Sequence, residues 1–315
     1  MPELPDVTVY QEALERRVAG RMLCACRVIS PFVVRSVSPR VDELIGRRVT
    51  GVERIGKRIV LTFEGNLFLV IHLMVAGRLK WLAPGKKPPG RLALAMFDFG
   101  DGRLAFTEAS KKKRASMYVA AGRGALREFD RGGLNVLTAT PQEFATRLCS
   151  ESHTLKRALT DPTLFDGIGN AYSDEILHRA RLSPLTLTGR LSDDDVERLR
   201  VACMGTLTDW TARLRTEVGD GWPEKVTAFR ERFAVHGRFR LPCPDCGSPV
   251  QRIRYAENET NYCATCQTGG RLLADRGLSR LLKDDWPRSI DEYDGMVNSA
   301  RSEERGRGAS GKEKM

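Results

Sequence analysis

The 315-residue chain contains no apolar run long enough to cross a bilayer, and no basic–apolar–small-residue leader opens it. These absences predict a cytosolic protein, away from membranes, whose cysteines stay reduced. Acids are also in short supply: 40 Asp and Glu stand against 51 Lys and Arg, a formal net charge of +11. A surplus of that sign suits a polyanion such as nucleic acid, or an acidic membrane surface. The length suits two domains, each with its own core. Of the eight cysteines, Cys24, Cys26, Cys149 and Cys203 are scattered in apolar contexts and read as small core residues.

The distinctive chemistry begins in the first six residues, Met1-Pro2-Glu3-Leu4-Pro5-Asp6. With Met1 removed, Pro2 would carry a free secondary amine. An α-amino group has an ordinary pKa of about 7.7–8.0, so much of it is unprotonated and nucleophilic near neutral pH. Such amines attack carbonyls and form Schiff bases, and Glu3 beside it could act as acid or base. Val7, Tyr10, Leu14 and Val18 recur at helical spacing, with Gly20 as the stop. The amine would then precede a helix N-terminus, where the dipole disfavours its protonated form. Taken alone, the stretch also has a plain reading, because Glu3 and Asp6 could simply be first-turn acids.

Short apolar runs follow at Leu23–Ile29, Arg48–Val52, Arg58–Phe63, Leu67–Leu73, Leu92–Phe99 and Leu104–Thr107, separated by Gly-, Pro- and Asn-rich turns. Strands at this spacing predict an antiparallel sandwich or barrel, rather than a βαβ sheet, within residues 1–122. Lys57, in Gly56-Lys57-Arg58, falls just before a strand, where it could reach a phosphate or remain a solvated charge. The segment 80–90 reads as a basic loop. Lys111, Lys112, Lys113 and Arg114 follow a strand as four consecutive cations, a phosphate-binding loop or a solvated surface. Residues 123–140, rich in Gly and charge, read as a linker.

From Pro141 to about residue 238 the pattern is helical. Helices are predicted at Pro141, near Thr154–Leu159 and after Ser192, where Asp195 completes a capping-box-like pair. Between them lies Gly167-Ile168-Gly169-Asn170-Ala171-Tyr172, whose glycines permit a tight turn with exposed amides opening onto a helix, suited to a phosphate. This arrangement reads as a helix–two-turn–helix, with a plain helical hairpin as the alternative. Cys243-Pro-Asp-Cys246 and Cys263-Ala-Thr-Cys266 then supply two C-x2-C pairs sixteen residues apart, the pattern of a four-cysteine zinc ribbon over residues 239–270. Four thiolates close a tetrahedral site, so one structural zinc is expected, and disulfides are disfavoured in a reducing compartment. Arg252, Arg254 and Tyr255 lie on the ribbon arm. Residues 271–315 read as an extension, with an amphipathic helix through Leu272, Leu273, Leu278, Leu281 and Leu282 and then a disordered charged tail.

Together these motifs resemble the formamidopyrimidine-DNA glycosylase / endonuclease VIII family, over Pro2 to about Gln267. The resemblance implies an α+β, two-domain clamp on DNA: an N-terminal antiparallel β-sandwich with an N-terminal helix, then a helix–two-turn–helix domain and zinc ribbon. It implies a bifunctional glycosylase and abasic-site lyase in which Pro2 attacks C1′ of a flipped nucleotide and β,δ-elimination cuts the strand. Glu3 would be the acid/base, Lys57 the lysine beside the lesion, and Asn170 with Gly169 and Lys156 would hold flanking phosphates. The expected partner is double-stranded DNA carrying a damaged base or abasic site, bound by a monomer in the cytoplasm, at the nucleoid of a bacterium.

The chain also departs from that family's pattern. Asp6 stands where Glu is usual. The loop that normally supplies an arginine and an aromatic wedge reads Glu108-Ala109-Ser110-Lys111-Lys112-Lys113-Arg114. Met74 and Val75 fall one position out of register with a void-filling methionine, and Asn258 replaces an arginine that grips phosphates. Thr216–Phe229 is short where 8-oxoguanine-specific members carry a longer loop. Base contacts specify while backbone contacts position, so retained chemistry with a shifted lesion preference is expected. The competing reading is a non-catalytic protein that binds distorted or damaged DNA.

Overall fold

The computed structural model describes residues 1–224, 226, 230–255, 258–274, 289 and 292. Helix α1 (Leu4–Val18) opens where Asp6 Oδ2 accepts the Glu3 N–H at 2.9 Å, and it buries Val7, Tyr10, Leu14 and Val18 at the spacing the sequence predicts. It packs onto two four-stranded antiparallel sheets. One has the order β1 (Ala25–Val28), β6 (Ala93–Asp98), β7 (Arg103–Glu108), β5 (Gly77–Leu82). The other runs β2 (Val49–Ile55), β3 (Arg58–Phe63), β4 (Leu67–His72), β8 (Ser116–Ala121).

Alternation along β3 shows why this is a sandwich. Ile59, Leu61 and Phe63 enter the core shared with Phe97, Leu104 and Phe106, while Val60 faces the other way. That outer face is not open to water. Phe68, Val70 and Ala120 join Val60 there, and Leu126 from the Arg123–Phe129 turn covers them. The stretch read as a linker thus begins as packing for the sheet. Lys80, Trp81 and Leu82 belong to β5 rather than to a loop, and Trp81 stacks on Phe99 with centroids 6.2 Å apart. Of the four scattered cysteines only Cys203 is fully buried. Cys24 and Cys149 are exposed and Cys26 is half-buried, a correction to their reading as core residues.

The helical half comprises α2 (Pro141–Cys149), α3 (Leu155–Thr160), α4 (Asn170–Arg179) and α5 (Asp193–Val218). Ser192 Oγ accepts the Asp195 N–H at 3.2 Å, so the expected cap opens α5, which then buries Leu199, Cys203, Leu207, Trp210 and Leu214. Strands β9 (Gln251–Tyr255) and β10 (Asn258–Tyr262) pair as a hairpin ahead of the short α6 (Ala264–Thr268). Leu272 and Leu273 pack on Ile253 and Tyr262; the rest of the expected amphipathic helix and tail lies outside the described residues. Among the described residues no helix is long and apolar enough to cross a membrane.

Candidate active site

The two halves meet at the N-terminus. The Leu4 N–H donates to Gly167 O at 2.9 Å, and Gly167 holds φ +77° with a hypothetical Cβ only 2.7 Å from that of Leu4. Only glycine allows both the left-handed turn and the close approach. The buried Glu3 carboxylate then reaches the first turn of α4. Gly169 N–H donates to Oε2 at 2.6 Å, Tyr172 N–H to Oε2 at 3.2 Å, and Ala171 N–H to Oε1 at 2.9 Å. The exposed amides expected to receive a phosphate therefore hold an anion from within the chain, placed where the helix dipole favours it. A Cβ on Gly169 would lie 2.7 Å from Glu3 Oε1 and 2.8 Å from Lys57 Nζ, so the carboxylate and ammonium converge there. Pro2 is buried and adjoins Glu3 in the chain.

Burial and neighbouring charges shift the ionisable groups here. Burial pulls the Lys57 ammonium below its ordinary pKa, opposed by the Glu3 and Asp166 carboxylates. Burial likewise lowers the Met1 amine, with Glu3 opposing. Asp6 is shifted upward by burial, which Arg230, 2.5 Å from its Oδ1, counteracts. On the adjoining strand His72 is pushed down to about 4, by burial and then by Arg58 and Lys57. Its Nδ1 accepts the Met74 N–H at 3.3 Å.

Helix α4 organises what lies beyond. The Lys156 ammonium is buried and donates to Asn170 O at 2.7 Å, Ser173 Oγ at 2.8 Å and Asp174 Oδ1 at 2.5 Å, which uses all three of its protons. Asp174 Oδ2 also accepts the Asn261 N–H at 3.1 Å and contacts His236 Nδ1 at 2.7 Å. Glu175 accepts the amides of Ala234, Val235 and His236. The Asn170 side chain donates to Glu259 O at 3.0 Å, tying the turn to the ribbon. Asn258 is exposed at the start of β10. Met74 sits half-buried in the β4–β5 turn at φ +51°, with Val75 exposed beside it.

The cation run forms a separate exposed loop folded around Glu108. That buried carboxylate accepts the amides of Arg114 at 3.0 Å and Ala115 at 3.2 Å, and Lys113 Nζ donates to Glu108 O at 2.5 Å. On the ribbon, Arg252 lies 4.0 Å from the Phe239 ring centroid.

Cys243, Cys246, Cys263 and Cys266 bring their sulfurs within 4.8 Å of one another, with none in a disulfide. The Cys246–Cys263 separation is 3.4 Å and the Cys243–Cys266 separation 4.0 Å. A tetrahedron drawn with Zn–S of about 2.3 Å has edges of about 3.8 Å. The donor set fits a structural zinc.

Three family matches follow the same order: the formamidopyrimidine-DNA glycosylase N-terminal domain over residues 1–114, its H2TH domain over 135–213, and the zinc finger found in FPG and IleRS over 240–269. A formamidopyrimidine-DNA glycosylase from Exiguobacterium sibiricum is 32% identical over 282 residues, 85% of this chain and 99% of that one. The chain belongs to the formamidopyrimidine-DNA glycosylase family. A formamidopyrimidine-DNA glycosylase-like protein of Mycobacterium tuberculosis is 41% identical over 151 residues, covering 48% of this chain and 94% of its own. The Lactococcus lactis Fpg complexed with abasic-site DNA shares the fold, with a TM-score of 0.75 at 23% identity over 84% of this chain and 99% of that one.

Within this family frame, sequence reasoning reached Pro2, Glu3, Lys57, Gly169 and Asn170. It missed Asp166, Arg230, Glu108 and His72. Asp166 and Arg230 act across 112 and 224 residues of chain, on Arg54 and Asp6. The Glu108 carboxylate and its donors lie within one loop, and a lone acid before a cation run was the available signal.

Proposed function

We propose that this chain is a DNA glycosylase of base-excision repair with abasic-site lyase activity, acting on duplex DNA. The observation that carries the reading is the convergence of Glu3 and Lys57 on the Gly169 turn, beside Pro2. Removal of Met1 frees the Pro2 amine at a buried position, and burial disfavours the charged form of an amine. The amine attacks C1′ of the flipped nucleotide and the damaged base leaves with a proton. The sugar ring opens to an iminium on the proline nitrogen. Loss of a C2′ proton then expels the 3′ phosphate, a second elimination expels the 5′ phosphate, and hydrolysis returns the amine. Glu3 Oε1 accepts only one of the three amide bonds, which leaves it capacity to exchange protons with the sugar. Lys57 stabilises the developing negative charge.

The roles of Asn170, Gly169 and Lys156 are proposed as indirect: they hold the turn that holds Glu3. Lys111, Lys112, Lys113 and Arg114 are proposed to meet the opened duplex with charge in place of an aromatic wedge, and Met74 and Asn258 are proposed as further DNA contacts. Such a surface favours lesions in already distorted DNA, including oxidised pyrimidines and abasic sites, over 8-oxoguanine. The zinc holds the ribbon and takes no part in the chemistry. Acetylating the Pro2 nitrogen, which removes its nucleophilic lone pair, is the test: on a duplex with one abasic site, strand cutting should fall at least about 100-fold while binding is retained. Cutting at the wild-type rate would remove Pro2 from the mechanism. Wild-type binding without cutting would instead support the protein that recognises damage without repairing it.

A further inference from the structure

The ten residues of α4 start at the Glu3 carboxylate and end beside the zinc ligands. His178, in its last turn, is 3% exposed, and its Nε2 stands 3.2 Å from Cys243 Sγ. The same nitrogen is 4.0 Å from Asp245 Oδ2, beyond hydrogen-bonding distance. The sulfur is therefore the nearer acceptor.

A zinc-bound cysteine is deprotonated and only accepts. Four thiolates around one divalent cation leave the centre a net anion, and those of its sulfurs that are buried, on Cys243 and Cys263, need donors. Cys266 N–H donates to Cys263 Sγ at 3.5 Å, and Ser248 donates to Cys246. Cys243 is itself 3% exposed. We propose that His178 donates its Nε2 proton to the Cys243 thiolate of the zinc centre, and that this bond fastens the C-terminal end of α4 to the metal. The imidazole acts from outside the coordination sphere, because the four sulfurs already complete a tetrahedral set. Outer partners of this kind hold a ligand in orientation and strengthen retention of the metal. The bond joins the ribbon to the helix whose other end seats Glu3.

The test uses the full-length, zinc-loaded protein and a chromophoric chelator, with no DNA. His178→Phe keeps a planar ring and removes the donor, and should weaken zinc retention about 10–100-fold. His178→Gln keeps an N–H within reach and should restore most of the loss. Release from the Phe variant at the wild-type rate overturns the proposal, as does a Gln variant as leaky as Phe, which would assign the effect to packing. Two measurements on the wild type need no variant to fold. Imidazole 15N NMR should show Nε2 as the protonated nitrogen, and a bare Nε2 overturns the assignment. Zinc X-ray absorption should show four sulfur neighbours, and a nitrogen in the first shell would make His178 a ligand and refute the outer role.

Discussion

Gly169 leaves no space for a β-carbon between the Glu3 carboxylate and the Lys57 ammonium, at 2.6–2.8 Å from their atoms. Gly169→Ala must push one of them aside, and a displacement of about 1 Å costs about 100-fold in rate. We expect that loss in single-turnover strand cutting, with affinity for abasic-site DNA changed less than about threefold, since the substitution touches the reacting groups and not the binding surface. Equal losses in both would place Gly169 in binding instead. At this scale the sequence was informative where function is local. Pro2 and Glu3 adjoin, and the Gly-Ile-Gly-Asn turn is contiguous. It was silent on Asp166 and Arg230, because a partner 112 or 224 residues away leaves no trace in spacing.

Among elements, α4 carries the most consequence. Its Asp174 is fully buried and paired with Lys156, so removing one partner strands a charge out of water. Asp174→Ala should lower unfolding stability by about 3–5 kcal/mol, and adding Lys156→Met should recover much of that. Urea midpoints of the two variants check this; equal destabilisation by the single and double changes would contradict it. Element legibility followed how local patterns compete. Strand β3 announced itself by a run of β-branched and aromatic residues. Strand β5 was masked by Lys80 and by the proline-rich turn after Leu82, although Leu79 and Trp81 face packing partners. Strand β8 was masked by the cations before it, which Glu108 gathers into a turn.

The whole molecule is a pair of domains closed on one N-terminus. Arg54 pairs with Asp166 at 2.6 Å, Arg215 with Glu12 at 2.7 Å, and Arg230 with Asp6 at 2.5 Å. The last pair is nearly dry, and its loss has a signed pH dependence. Arg230→Met removes the cation that opposes the burial-driven rise of Asp6. Asp6 would then have a folded-state pKa still further above its unfolded value of about 3.9. A carboxyl raised in this way stabilises the fold most in acid, and that contribution is lost as pH rises through the folded value. The deficit of the variant against wild type should therefore widen as pH climbs above the already raised wild-type value of Asp6 toward neutrality, reaching about 3–5 kcal/mol. Thermal melts at a series of pH values read it, and a deficit independent of pH would show that Asp6 is not the group left unpaired. Domain order was legible from composition shifts and the cysteine pairs, but this closure was not, since it is written in charges scattered across both halves.

In the proposed mechanism the Pro2 amine forms a covalent bond to the sugar. Borohydride trapping on a duplex with a single abasic site, using protein whose N-terminus is shown by mass spectrometry to begin at Pro2, tests it most directly. A reduced protein–DNA adduct attached at Pro2 is expected, and none from protein whose Pro2 nitrogen is acetylated. Absence of any adduct from protein that begins at Pro2 and binds the duplex would contradict it.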